Sequence, residues 1–328
     1  MGPAVNDYPR LVGDIGGTHA RFASVGSAGA ELSDPSVHTC AEFRGLAELM
    51  EHRLARCGAA RPAACALGIA TPLTSDVVRM TNLDWSFSIE GLQRRLGLHR
   101  LVVLNDFAAL ALGLPALAPT GLMQVGDVDG DHRATGAKVA LGPGTGLGVA
   151  GLVHAAGRWR PVAGEGGHVS LAAETELEDK VLGILRDRFG HVSAERVLSG
   201  PGLVNLHAAV RATRGLPPET MDSDAPEITR RALEDHDTSC LDTLDCFFAW
   251  LGSFAGDMAL AFGAVGGVYI GGGIVARMPA AFAGSAFRAR FEAKGRYRSY
   301  LAAIPTWLVS DAADTALRGA NLALDLDP

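Results

Sequence analysis

The sequence predicts an α/β protein with two domains, and three observations support this prediction. The chain has 328 residues, 48% of them are hydrophobic and 20% charged, and a strand–glycine loop–strand pattern occurs once in each half. A single hydrophobic core rarely grows beyond roughly 250–300 residues, so the length favours two domains. A composition this apolar can fill a buried core, which excludes an intrinsically disordered chain.

The charge and the cysteines exclude several classes of protein. The chain has 29 Lys and Arg against 36 Asp and Glu, a net charge of −7, whereas an extended nucleic-acid surface requires a basic face. The five cysteines are scattered without a CxxC pair, so we expect neither a disulfide scaffold nor a zinc ribbon. We find no signal-peptide pattern and no stretch of ~20 uninterrupted apolar residues. We therefore expect a cytoplasmic protein without a nucleic-acid or membrane partner.

The first half of the chain alternates apolar strands with helices. We predict helices at 46–57 and 88–96, and strands at 9–12, 19–25, 36–43, 65–69 and 100–104. The last of these strands is almost continuously apolar, which is typical of a central strand buried on both faces. Asn105 and Asp106 follow directly at its carboxyl end.

A polar segment at 126–136 precedes the second half, which repeats the strand–glycine loop–strand order. Between 241 and 262, large apolar residues recur at steps of three and four, which predicts a helix buried in the core. Further strands are predicted at 137–142, 149–153, 268–270 and 306–309, and further helices at 174–190, 194–214 and from Asp314.

The first glycine-rich turn is Gly13-Asp14-Ile15-Gly16-Gly17-Thr18. Glycines let a backbone come close to a ligand, and consecutive N–H groups form a concavity that binds anions. Asp14 adds a carboxylate suited to hold Mg²⁺, directly or through water. A plain glycine-rich hairpin is the alternative interpretation.

The second glycine loop is Gly142-Pro143-Gly144-Thr145-Gly146-Leu147-Gly148. With Gly151 it also matches GxGxxG, but a dinucleotide site requires a helix after the loop, and Val149–Val153 predicts a strand. One such loop in each half suggests two domains that hold a polyphosphate between them. Gly271-Gly272-Gly273 form a third glycine patch, interpreted either as a nucleoside contact or as a strand-to-helix turn.

Acidic and amide side chains provide the candidate chemistry. Asn105 and Asp106 lie where open α/β sheets bind ligands, which makes Asp106 a candidate general base and Asn105 a candidate hydroxyl ligand. Glu165 and His168 flank two glycines and suit a polyol, whose hydroxyls need both donors and acceptors. The alternatives are a helix N-cap for Asp106 and an ordinary polar turn for Glu165 and His168. Glu195, taken alone, predicts only a solvated carboxylate on a helix.

Together these motifs resemble those of bacterial glucokinases, the zinc-free glucokinase branch of the hexokinase/actin-like ATPase superfamily. The resemblance covers nearly the whole chain. Its segments are LVGDIGGT at 11–18, LNDFA at 104–108, GTGLG at 144–148, PVAGEGGHV at 161–169, HVSAERVLSGPGL at 191–203 and GVYIGGGIV at 267–275.

The resemblance implies two actin-like, ribonuclease H-like α/β domains with a cleft between them. The small domain would comprise residues 1–116 plus 306–328, and the large domain residues 117–305. The implied reaction transfers the γ-phosphoryl of ATP to the 6-hydroxyl of D-glucose with Mg²⁺, and the implied assembly is a homodimer.

The resemblance also implies roles for particular residues. The glucose contacts would fall on Asn105, Asp106, Glu165, His168 and Glu195, with Asp106 as the catalytic base. Asp14 would hold Mg²⁺ through water. The nucleotide would contact Gly13, Asp14, Ile15, Gly16, Gly17, Thr18, Gly144, Thr145, Gly146, Gly271, Gly272 and Gly273.

Two positions depart from the family pattern. The family commonly has Asn after GGT, where this chain has His19, and a Pro-x-x-Gly segment where this chain has Pro72-Leu-Thr-Ser75. We expect these departures to affect the preference among sugars rather than the reaction.

Three other functions match parts of the sequence. A sugar-responsive repressor needs a DNA-binding domain before the first glycine loop, and we expect none because ten residues precede Leu11. An actin- or chaperone-like ATPase has no small-molecule substrate, so Glu165, His168 and Glu195 would have no role in its activity. A kinase for another hexose, such as mannose or fructose, is the alternative that the sequence excludes least well.

Overall fold

The computed structural model describes residues 7–57, 61–217 and 224–326. Its strands are β1 (Arg10–Ile15), β2 (His19–Val25), β3 (Ser33–Thr39), β4 (Ala64–Ile69), β5 (Val77–Arg79), β6 (Ser86–Ser88), β7 (Arg100–Asn105), β8 (Leu122–Val125), β9 (Lys138–Pro143), β10 (Leu147–Ala155), β11 (Arg158–Gly164), β12 (Val268–Ile270) and β13 (Thr306–Val309). Its α-helices are α1 (Leu46–Ala55), α2 (Ile89–Leu96), α3 (Asp106–Gly113), α4 (Glu176–Phe189), α5 (Gly200–Thr213), α6 (Ala225–Leu233), α7 (Thr238–Phe262), α8 (Pro279–Ala283), α9 (Phe287–Glu292), α10 (Arg298–Ala302) and α11 (Ala312–Ala323).

The described residues divide into two compact units. Those within Met1–Pro119, Leu152–Gly164 and Asp311–Pro328 form the first unit, and those within Thr120–Gly151 and Glu165–Ser310 form the second. These bounds differ from the sequence-based ones at three places: residues 117–119 and 152–164 join the first unit, and residues 306–310 join the second. β13 pairs in parallel with β12 and so belongs to the second unit, whereas β11 contacts α3 and so joins the first.

The sheet of the first unit has the strand order β3-β2-β1-β4-β7. β1, β4 and β7 are parallel, with Ile15, Ile69 and Asn105 in register, so the carboxyl ends of the three strands lie together at one end of the sheet. The strand predicted at 100–104 is confirmed, but its predicted central position is wrong, because β7 is the edge strand. Helices α2 and α3 contact β7, and burial against these helices explains why β7 is apolar although only one strand pairs with it.

Alternation along β1 sends its side chains to two different cores. Leu11 and Ile15 join a cluster that includes Leu49 of α1 and Leu92 of α2. Val12 faces the opposite way and joins a cluster with residues of α11. The sheet of the first unit is therefore covered by helices on both faces.

Helices α3 and α11 pack with their backbones in direct contact. A Cβ atom at Gly113 would overlap the carbonyl oxygen of Thr315, and one at Gly319 would overlap the carbonyl oxygen of Ala109. Glycine at these two positions permits the close approach. The helix that begins with Asp106 is thus held against α11 along its length.

The six-stranded sheet has the order β11-β10-β9-β12-β13-β8, and its strands β9, β12, β13 and β8 lie in the second unit. β9, β12 and β13 are parallel, so the glycine loops after β9 and β12 leave the sheet at the same edge. The predicted strands at 268–270 and 306–309 are confirmed with these bounds. A strand, β10, follows the second glycine loop as predicted, which excludes the dinucleotide fingerprint there.

The predicted core helix at 241–262 is confirmed as α7. This helix is long and apolar enough to cross a membrane by length and composition, but 72% of its most apolar window is buried inside the protein. Burial of this kind is the pattern of a core helix.

The helix predicted at 194–214 is interrupted. Residues Ala194–Arg196 form a single 3₁₀ turn, and α5 begins only at Gly200. The break has a local cause, because Ser199 caps α5 by accepting a hydrogen bond from the Gly202 N–H, and Pro201 lies in the first turn. The strand predicted at 36–43 likewise ends early, at Thr39.

Candidate functional site

The common edge of β1, β4 and β7 gathers the candidate residues of the first unit. Asp14, Gly68 and Leu104 are in register, so their side-chain directions fall on one face of the sheet. A Cβ atom at Gly68 would lie 3.5 Å from the Asp106 Cα and 3.2 Å from the Ala109 Cβ. The face that carries Asp14 is therefore the face covered by α3. Asp14 and Asp106 share one face at the edge where the parallel strands end, with a residue that has no side chain between them.

The turn itself is shorter than the glycine motif. Gly13 and Ile15 lie inside β1, and a Cβ at Gly13 would lie 2.8 Å from Leu67 and Phe22 atoms. Gly13 is thus required by core packing. The Gly16 N–H closes the turn by donating to the carbonyl of His19 at 3.0 Å. Within the described part of the chain, the N–H groups of Gly17 and Thr18 have no backbone partner.

Asp14 is the candidate Mg²⁺ ligand. Burial raises the pKa of the Asp14 carboxyl to about 6, against a weaker lowering effect of Arg21. The Arg21 guanidinium donates to this carboxylate over a long distance of 3.4 Å. Within the described ranges, no group of three or more His, Cys, Asp or Glu side chains is arranged so that it could hold a metal ion. One buried, weakly paired carboxylate fits Mg²⁺, which usually takes one or two carboxylates together with phosphates and water.

Asn105 and Asp106 begin α3. Asn105 is the N-cap, and its carboxamide oxygen accepts from the N–H groups of Phe107 at 3.0 Å and Ala108 at 3.1 Å. Asp106 is the first helical residue, and its Oδ1 accepts from the Phe107 N–H at 2.9 Å. The N-cap is therefore Asn105 and not Asp106, and the Asn105 oxygen is committed to the helix.

One residue beside the first turn, Asn82, carries no sequence motif that predicts a role. A Cβ atom at Gly17 would lie 2.9 Å from the Asn82 Cβ, so the loop between β5 and β6 packs against the turn. The hydroxyls of Thr71 and Thr81 approach to 3.1 Å and tie this loop to the end of β4. The Asn82 side chain is exposed. No local pattern marks it, because Asn82 lies in an irregular loop 65 residues after Gly17.

In the second unit, the loops after β9 and β12 are in backbone contact. A Cβ atom at Gly142 would overlap the carbonyl oxygen of Gly271, and one at Gly272 would overlap that of Pro143. The Gly144 N–H donates to the Gly146 carbonyl at 2.8 Å, which makes the first loop a tight turn. The structure therefore brings two of the three predicted glycine segments together.

The acidic residues predicted to bind a polyol also form one cluster. Glu165 precedes a 3₁₀ turn that ends at His168, and this turn contacts the 3₁₀ turn that carries Glu195. Burial raises the pKa of the Glu165 carboxyl, His168 lowers it, and the nearby Glu195 raises it further. Glu195 is half-buried and is not a solvated helix carboxylate.

Glu195 contacts the glycine loop directly. Its Oε2 accepts a hydrogen bond from the Leu147 N–H at 2.8 Å. The cluster and the loop are thus adjacent parts of one site in the second unit.

Comparisons with known proteins agree with these motifs. The Glucokinase family matches residues 11–326. The chain belongs to the glucokinase family. A glucokinase from Aromatoleum aromaticum is 52% identical, over 97% of this chain and 95% of its own. The resemblance to bacterial glucokinases is therefore confirmed.

Solved structures support the same family and fold. A crystal structure of a glucokinase from an Antarctic psychrotroph is 38% identical, with a TM-score of 0.85 over 97% of this chain and 98% of that one. A ROK family glucokinase from Streptomyces griseus, solved with glucose and AMPPNP, is 20% identical, with a TM-score of 0.66 over 97% and 100% of the two chains. The predicted α/β fold of the actin-like ATPase type is confirmed.

The two departures from the glucokinase pattern lie in the first unit, where His19 is the first residue of β2 and Ser75 lies in the loop between β4 and β5. His19 is exposed and contributes its backbone carbonyl to the turn. The Ser75 hydroxyl donates to the carbonyl of Val77 at 3.1 Å, within its own loop. An effect of either residue on the preference among sugars stays a prediction.

Proposed function

We propose that this protein transfers the γ-phosphoryl of ATP to the 6-hydroxyl of D-glucose, giving glucose 6-phosphate and ADP, the first step of glycolysis. The observation that carries the proposal is the placement of Asp14 and Asp106 on one face of the first sheet, at the edge where its parallel strands end. Membership of the glucokinase family supports a hexose kinase. The complex of the Streptomyces griseus glucokinase with glucose and AMPPNP supports the choice of both substrates.

In the proposed reaction, Asp106 is the general base. Its carboxylate accepts the proton of the sugar 6-hydroxyl as the oxygen forms a bond to the γ-phosphorus and the bond to the β-phosphate oxygen breaks. Such transition states are largely dissociative, so catalysis depends mainly on positioning and on charge neutralisation. Asp106 is well positioned, because Asn105 caps α3 and α11 packs against this helix.

The remaining residues bind and orient the substrates. We assign the sugar hydroxyls to Asn105, Glu165, His168 and Glu195 together with Asp106. A site of this kind rejects analogues that leave its polar groups unpaired. We assign the phosphates to the N–H groups of the two glycine loops and the nucleoside to Gly271, Gly272 and Gly273.

Asp14 is the residue that would hold Mg²⁺, through water. Mg²⁺ would neutralise charge on the phosphates of ATP. Asp14 also keeps the Arg21 guanidinium at the same edge of the sheet. We further propose that the protein acts in the cytoplasm as a homodimer, without a nucleic-acid or membrane partner.

A coupled assay of ADP release tests the proposal. Turnover with glucose should exceed turnover without it by orders of magnitude, and a panel of glucose, mannose and fructose should give glucose the highest kcat/KM. ATP hydrolysis that does not respond to any sugar would favour an ATPase. A higher kcat/KM for another hexose would replace glucose as the substrate.

A further inference from the structure

Within the described residues, Glu195 is the only one of the three side chains Glu165, His168 and Glu195 that makes a hydrogen bond to the glycine loop. Its Oε2 accepts from the Leu147 N–H at 2.8 Å. Hydrogen bonds from N–H groups to a carboxylate are among the stronger ones in proteins. Leu147 is the first residue of β10, so this bond fixes the point where the loop returns to the sheet.

The geometry of Gly146 shows how closely the carboxylate lies against the turn. A Cβ atom at position 146 would lie 2.5 Å from the Glu195 Oε2 and 3.3 Å from its Cδ. The backbone of Gly146 does not have a positive φ. Glycine here leaves the space that the Glu195 carboxylate occupies, and no backbone strain favours it.

A second connection joins the same two segments. The Gly200 N–H donates to the Gly144 carbonyl at 2.8 Å. The preceding Ser199 is buried, and its hydroxyl donates to the Glu195 carbonyl at 2.8 Å. The backbone around Glu195 and the start of α5 are thus tied to both ends of the 144–147 turn.

We propose that Glu195 is a positioning residue for the glycine loop at 144–147, in addition to its role as a sugar ligand. One carboxylate then connects the two substrates, because Oε2 holds the loop N–H and Oε1 accepts no hydrogen bond from the residues that the structure describes. Sugar that binds Oε1 restricts the carboxylate and with it the loop that receives the phosphates. This inference rests on the proposed function for the identity of the two substrates.

The experiment separates loop positioning from sugar binding by measuring nucleotide affinity without sugar. The Kd of Mg²⁺–ADP is measured by calorimetry for wild type, Glu195→Ala, Glu195→Gln and His168→Ala, with glucose absent. Loss of the carboxylate should weaken ADP binding by roughly three- to tenfold, the range of the typical net contribution of one hydrogen bond. Glu195→Gln retains an oxygen that accepts from Leu147 and should recover most of this loss.

His168→Ala is the matched control. His168 is also assigned to the sugar, and its side chain makes no hydrogen bond to the loop within the described ranges. Its removal should weaken glucose binding and leave the Kd of ADP unchanged. If Glu195→Ala behaves in the same way, the positioning role is overturned while the proposed function stands.

Gly146→Ala provides a second route to the same test. Its Cβ would displace the carboxylate, which is the far end of a flexible side chain, so the fold should tolerate the change. We expect ADP binding to weaken as in Glu195→Ala, and the double variant to be no weaker than either single one. Additive losses would mean that the new methyl group blocks the phosphates directly, and they would overturn the coupling. Activity of wild type on glucose, measured in parallel, tests the proposed function separately.

Discussion

The backbone of Gly272 lies against the carbonyl oxygen of Pro143, and this contact leaves no room for a Cβ atom at position 272. Gly272 also has a φ of +82°, a conformation that L side chains rarely adopt. Two independent requirements therefore select glycine where the two loops of the second unit meet.

Replacement of Gly272 by Ala should destabilise the protein by about 1–3 kcal/mol through the unfavourable φ alone, and the overlap with Pro143 adds to this. Gly273→Ala is the control, because no atom lies within 4 Å of a Cβ there and its φ is not positive. Urea denaturation measures both changes. Equal stability of the two variants would contradict the described contact.

Asp106→Ala should lower kcat for glucose phosphorylation by roughly 10²–10⁴, the usual contribution of a positioned general base. Glucose binding should largely survive, because four other residues are assigned to the sugar. Asp106→Asn keeps the size of the side chain and an acceptor for the Phe107 N–H, so a similar loss in this variant assigns the effect to proton transfer. Normal phosphorylation by either variant would refute the assignment of the base.

Because of Lys138, the stability of the protein should change with pH in the alkaline range. Its side chain is fully buried, and burial lowers the pKa of Lys138 from its ordinary 10.5 to about 8, although Asp131 raises it. Below pH 8 the folded protein carries a buried charge at a cost, and between pH 8 and 10.5 only the unfolded chain binds this proton. Stability therefore rises with pH in that window.

The Lys138→Met variant lacks this titration. The difference in unfolding free energy between wild type and Lys138→Met should shift in favour of wild type by about 3 kcal/mol between pH 8 and 10.5. Urea denaturation at several pH values measures this difference, and the comparison cancels most other titrating groups. A difference that does not change with pH would mean that Lys138 keeps an ordinary pKa.

The pair of Glu178 and Arg290 joins α4 to α9 inside the second unit. The guanidinium donates to both carboxylate oxygens, at 2.7 and 3.1 Å, and Glu178 is only 3% exposed. Glu178→Ala should destabilise the protein by up to about 3–5 kcal/mol, because it leaves the largely buried Arg290 guanidinium with Glu174 as its only carboxylate partner among the described residues. Glu176→Ala, on the exposed side of the same helix, should change stability by less than about 0.5 kcal/mol. Thermal unfolding of the two variants distinguishes these outcomes.

The parts of the fold that could be predicted are those encoded locally. The apolar strands at 268–270 and 306–309 and the helix at 88–96 follow from patterns between neighbouring residues in the sequence, and the structure has all three, the helix with Ser88 as its N-cap. The partner of the 306–309 strand could not be predicted, because strand pairing is decided by contacts between distant segments. The edge position of β7 was missed for the same reason, since an apolar run records burial and not the number of neighbouring strands.

The candidate site shows the same division. The motifs identified the loops, but they did not distinguish Gly13, which packs against Phe22 and Leu67, from glycines that border a ligand. Sequence spacing likewise gave no sign that Glu195 lies on the glycine loop, because 48 residues separate it from Leu147. Both facts depend on which distant side chains the fold places next to a backbone.

The close contact between α3 and α11, at Gly113 and Gly319, makes the position of α3 depend on the last helix that the structure describes. Gly113 and Gly319 let the two helices touch without intervening side chains, so a bulkier residue at either position would tilt α3 and swing its first residue away from the strand edge. Inactivating substitutions should therefore occur in α11. This helix contributes no group to the proposed chemistry, but it fixes the position of α3 and so of the Asp106 carboxylate.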